Sequence, residues 1–104
     1  VTRALVTNDD GIDSPGLWVL ADAAREAGFD VVVAAPDRQY SGAAASITAV
    51  QEDGRTVVEQ VEGRGGHPAF AVRAAPAHIV VAAVQGWLDP APDLVLSGIN
   101  RGGN

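Results

Sequence analysis

A chain of 104 residues, 47% hydrophobic and 19% charged, has the length of one domain and enough apolar surface for a single core, which excludes a multidomain machine and a disordered polymer. Thirteen acidic residues against seven basic ones leave a net charge of -6, which argues against a sequence-independent grip on duplex nucleic acid. All seven basic residues are Arg and Cys is absent, so lysine catalysis, a P-loop lysine, disulfides, thiolate zinc sites and thiol nucleophiles are closed to this chain.

The opening apolar run, Ala4-Leu5-Val6, predicts a strand. A helix is expected over about Pro15 to Ala27, with Ser14 as N-cap, Pro15 at the first position and Gly28 as the stop. Its apolar stripe is Leu17, Leu20, Ala21 and Ala24, with Asp22, Arg25 and Glu26 facing water. Val31-Val32-Val33-Ala34-Ala35 predicts a second strand. The stretch from Ile47 to Val72 differs in character: Thr56 to Val61 and Ala69 to Val72 read as strands about Gly63-Arg64-Gly65-Gly66, with Glu52-Asp53-Gly54 as an earlier turn. A second helix is expected from about Pro76 to Leu88, with Ile79, Val80, Ala83, Val84 and Trp87 on one face and Asp89-Pro90-Ala91-Pro92 as its stop. Leu94-Val95-Leu96 predicts a further apolar strand. Unbroken apolar runs suit strands covered on both faces, so this order of elements predicts an α/β fold with an open parallel sheet and right-handed crossovers.

Such sheets bind ligands at the carboxyl ends of their strands. After the three apolar strands come Asn8-Asp9-Asp10-Gly11, Pro36 to Gly42, and Gly98 to Asn104, polar loops that would emerge along one edge. Adjacent carboxylates repel each other unless a cation lies beside them. Carboxylates, a hydroxyl and an amide carbonyl are hard oxygen donors that suit Mg2+, Mn2+ or Ca2+. The candidate ligands are Asp9, Asp10, Ser41 and Asn100, with Gly11, Gly42 and Gly98 allowing close backbone approach. Each has a plainer reading when taken alone: an Asx turn at Asn8 to Gly11, an ordinary Ser41-Gly42 loop, and a left-handed Asn100 beside glycines. Their joint placement at three strand ends is what points to a site. His67 reads as a solvated turn residue, His78 as a surface or supporting residue, and Trp18, Trp87 and Phe29 as packing residues.

The segments Thr7-Asn8-Asp9-Asp10-Gly11-Ile12-Asp13-Ser14-Pro15-Gly16, Ala35-Pro36-Asp37-Arg38-Gln39-Tyr40-Ser41-Gly42-Ala43 and Ser97-Gly98-Ile99-Asn100-Arg101-Gly102-Gly103-Asn104 resemble the SurE family of survival-protein nucleotidases in order and spacing. The resemblance covers essentially the whole chain. It implies a Rossmann-like three-layer core with a mostly parallel sheet, and hydrolysis of nucleoside 5'- or 3'-monophosphates by metal-activated water, some members also trimming short polyphosphate. The cofactor implied is one divalent ion, Mg2+ or Mn2+, with Ca2+ able to stand in its place in a structure. Carried over by position, the family's ligands fall on Asp9, Asp10, Ser41 and Asn100, and Asn104 falls beside the substrate phosphate; no residue is assigned as catalytic acid or base. The implied partners are a small-molecule nucleoside monophosphate and further copies of the full-length protein in a homodimer or tetramer, with no nucleic acid duplex and no membrane.

Where the family has Thr-Pro-x-Asp opening the second helix, this chain has Ala75-Pro76-Ala77-His78, which removes a capping hydroxyl and an acid. Family chains also continue past the position of Asn104 into a Ser/Thr-Gly phosphate segment, more sheet and oligomerisation arms. Residues 1–104 are therefore expected to be a truncated, N-terminal metal-binding part of a longer α/β domain, the alternative being an inactive fragment or a metal- or nucleotide-binding module. Receiver domains and haloacid-type phosphohydrolases also carry acids at a strand end, but both need a Lys. The opening run to Thr7 is too short for a signal peptide, and no stretch approaches the roughly 18 apolar residues of a membrane span, so the expected compartment is cytoplasmic.

Overall fold

Strand β1 (Arg3–Thr7) turns alternate side chains to opposite sides, and both sides are buried. Leu5 packs with Val32, Ala34, Val72 and Ile79, whereas Val6 packs with Val31, Val33, Ala35, Leu17 and Ala21. A continuous apolar run is what such a two-sided strand requires, and it produces three layers with a helix on each face of a sheet. The structure is a computed structural model that describes residues 1–38, 51–52, 55–56 and 58–99. The other elements are α1 (Pro15–Glu26), β2 (Asp30–Pro36), β3 (Gln51–Glu52), β4 (Arg55–Thr56), β5 (Val58–Glu62), β6 (Pro68–Val72), α2 (Pro76–Ala82) and β7 (Leu94–Ser97).

Five strands lie in the order β5-β6-β2-β1-β7. β6, β2, β1 and β7 run parallel, with Leu5 opposite both Val32 and Val95, and β5 pairs antiparallel with β6. β3 and β4 form a separate short antiparallel ladder. The chain moves outward from β1 through α1 to β2 and β6, then returns through α2 to β7 on the far side of β1. This reversal makes the carboxyl ends of β1 and β7 the topological switch point, where open α/β sheets leave a crevice for a ligand. At the opposite edge, the Arg3 amide donates to Asp93 Oδ2 at 2.8 Å, Asp93 donates its own amide to the Arg3 carbonyl at 2.8 Å, and the Arg3 guanidinium lies 3.8 Å from Asp30.

The two strands expected in the middle segment are present as β5 and β6, which form a hairpin, and β6 joins the sheet parallel to β2, its Ala69 and Ala71 sharing the core of α1. Several expectations are corrected. Ser14 stands at the N-cap of α1 in an extended conformation, yet its side chain makes no capping bond. The second helix ends early: after Ala82 the chain widens into a π turn over Ala83–Trp87, with Gly86 at φ 116°. Val84 leaves the apolar stripe as a result and is 60% exposed. His67 is not solvated; it is 4% exposed, with Nε2 at 2.8 Å from Asp22 Oδ1 on α1. Trp87 does pack as expected, meeting Phe70 edge to face at 5.4 Å.

Candidate active site

The loop leaving β1 is shaped by Asn8. Its fully buried side chain accepts the Gly11 amide at 3.1 Å and donates Nδ2 to the Gly11 carbonyl at 3.3 Å, closing a ring around Asp9 and Asp10. The Asx-turn reading is met by this loop: Asn8 makes the turn, and the turn carries the two acids, each half-buried, at the switch point. Gly11 sits at φ 109°, and a Cβ there would come 3.0 Å from the Arg38 backbone. Only glycine lets the first loop lie this close to the second.

The three strand-end loops meet through their described stems. Ile12 donates its amide to the Pro36 carbonyl at 2.8 Å, joining the β1 and β2 loops. Gly98 donates to the Thr7 carbonyl at 2.9 Å and Ile99 to the Gly16 carbonyl at 3.3 Å, joining the β7 loop to β1 and to the start of α1. A Cβ on Gly16 would run into the Ile99 carbonyl oxygen. Beyond this junction, Asp37 ties the β2 loop to β6, its amide donating to Val72 at 2.9 Å and its Oδ2 lying 3.5 Å from Arg73 Nε.

Of the residues expected to form the site, Asp9 and Asp10 are placed together at the junction, while Ser41, Asn100 and Asn104 lie outside the described residues. Among the described residues no group of three or more His, Cys, Asp or Glu side chains could hold a metal. The acid pair is suited to a hard cation in combination with neutral oxygen donors. Thr7 adds an observation in keeping with that chemistry: it is 1% exposed, at the end of β1, and its Oγ1 has no hydrogen-bond partner among the described residues. Sequence reasoning gave the Asx turn at Asn8 but missed Thr7 as a buried hydroxyl beside it. The Asx-turn propensity was a signal for Asn8; a Thr closing an apolar strand carried none.

An open, mostly parallel sheet with an acidic loop at its switch point defines an α/β protein of the class whose ligands bind at the strand ends. This chain belongs to the SurE family: the family model described as Survival protein SurE matches residues 4–104. It is 44% identical over 102 residues to the 5'-nucleotidase SurE of Xylella fastidiosa (strain M12), a match covering 98% of this chain and 36% of that protein. It is likewise 44% identical over 102 residues to the 5'-nucleotidase SurE of Xanthomonas euvesicatoria pv. vesicatoria (strain 85-10), covering 98% and 37%. Among solved structures it is similar to the SurE protein from Aquifex aeolicus, with a TM-score of 0.73 and 36% identity, covering 98% of this chain and 39% of that one. The chain thus spans little more than a third of the length of these relatives.

Proposed function

We propose that residues 1–104 are the metal-binding, N-terminal part of a longer domain whose whole is a phosphomonoesterase for nucleoside 5'- or 3'-monophosphates. The observation that carries this reading is the Asp9-Asp10 pair on a turn closed by Asn8 at the switch point, with the stems of two other strand-end loops bonded to the flanking Thr7 and Ile12. The names of the relatives, 5'-nucleotidase, support the substrate class. Asp9, Asp10, Ser41 and Asn100 are the residues proposed to hold one divalent ion, Mg2+ or Mn2+. Such an ion, when bound, neutralises charge on a phosphate oxygen and makes a nearby water more acidic. Asn8 fixes the backbone turn that carries the two carboxylates, Gly11 and Gly16 let the loops close on one another, and Asn104 is proposed to donate to the phosphate. A carboxylate oxygen left outside the ligand set accepts the proton released by the attacking water.

Among the described residues no helix is long and apolar enough to cross a membrane. A cytoplasmic location and a homodimeric or tetrameric full-length protein belong to the same proposal. Asp9→Ala is expected to abolish saturable Mn2+ binding by this chain in calorimetric titration, and phosphate release from AMP by the longer protein that contains it; Ser41→Ala is expected to weaken both less. Turnover of AMP unchanged by Asp9→Ala would overturn the reading.

A further inference from the structure

The acidic loop is held at both ends. Asn8 pins its entry. Its exit is held by Trp18 on α1, whose indole Nε1–H donates to the Ile12 carbonyl at 3.0 Å while the Ile12 amide is engaged by Pro36. The Trp18 ring is in turn faced by Arg64, its guanidinium carbon 6.0 Å from the ring centroid, and Arg64 Nη2 extends toward the Asp13 carbonyl at 3.4 Å. Arg64 comes from the turn between β5 and β6, which is fastened along α1 by two further contacts. His67 meets Asp22 at 2.8 Å, and Arg25 Nη1 donates to the Gly65 carbonyl at 2.7 Å. A cation over an aromatic face restrains the ring, and here the restrained ring aims its one donor at the backbone just beyond the acids.

We propose that Trp18, braced by Arg64, is a positioning residue for the Asp9-Asp10 loop and acts through the Ile12 carbonyl. The inference rests on reading that loop as the cation site. Packing alone would ask only for a large apolar ring at position 18. The N–H adds a constraint on the loop, because a buried carbonyl that loses its donor draws the chain toward water. The edge hairpin β5–β6 thereby becomes part of the support of a site on the other side of β2.

Amide hydrogen exchange on the metal-free chain tests this apart from any activity. Trp18→Phe keeps the ring and removes the N–H, so the amides of Gly11, Ile12 and Ser14 are expected to exchange about fivefold faster while those of Leu5, Val6 and Val32 keep their wild-type rates. Arg64→Ala is expected to give the same local pattern at about twofold. In Trp18→Phe the dissociation constant for Mn2+ is expected to rise about fivefold in step with the exchange. Unchanged loop exchange would overturn the proposal, and so would an increase shared equally by the β1 and β2 amides, which is the signature of lost packing. Failure of the wild-type chain to bind Mn2+ would instead overturn the cation-site reading, while the exchange pattern would still decide whether Trp18 positions the loop.

Discussion

On one face of the sheet α1 runs for 12 residues, buries Leu17, Trp18, Ala21 and Ala24, and starts directly beneath the acidic loop. On the other face α2 runs for only 7 residues, buries Ile79, and leaves Val81 and Val84 about half exposed or more before ending in a π turn. Neither helix gains a capping bond from its N-cap side chain. Neither has an acid in its first turn; α1 compensates through its burial and its contacts with the loops of β1 and β7, whereas α2 has Ala75 at the N-cap and buries only Ile79 along its length. The contrast shows where order is concentrated: the better-anchored helix is the one whose first turn forms part of the loop junction.

Leu17→Ala attacks the stronger side directly. Leu17 is fully buried, so urea unfolding is expected to show a loss of about 2–5 kcal/mol. Gly16→Ala separates α1 from the β7 loop, because the added methyl meets the Ile99 carbonyl; a loss of about 1–3 kcal/mol is expected, together with weaker Mn2+ binding by calorimetry. Ala75→Ser acts on the weaker side in the opposite sense. A hydroxyl at this N-cap, where φ is -68° and ψ 155°, can accept from the amides of the first turn of α2, and a gain of about 1 kcal/mol in thermal or urea unfolding is expected. Equal sensitivity of the two helices to these changes would remove the distinction between them.

The parts legible in the sequence were those governed by local pattern and two-sided burial. β1 and β2 carry unbroken apolar runs because Leu5, Val6, Val32 and Val33 are each almost wholly buried, and α1 shows its start in Pro15 and its stop in Gly28. The strand-end rule then located the acidic loop without knowledge of pairing partners. What depends on long-range pairing was not legible. Nothing near β6 announces that it runs beside β2, and the burial of His67 is set by Asp22, 45 residues away. The second helix was read too long because Ile79, Ala83 and Trp87 keep a helical spacing through a segment whose backbone widens at Ala83 and turns left-handed at Gly86. Trp18 was legible as a core residue, but the direction of its N–H was not, since a hydropathy pattern treats an indole as a ring.

The edge of the sheet remote from the acids carries a different kind of order. There Arg3 links three neighbouring strands through Asp30 and Asp93, with main-chain bonds from Asp30 to Thr2 and from Asp93 to Arg3. These ties act as a foundation: they set the lateral spacing of β2, β1 and β7 from below, at a distance from any chemistry. Sequence drift at the foundation would be read out as melting temperature and drift at the rim as turnover, so one molecule can be tuned for endurance and for reactivity by separate sets of substitutions.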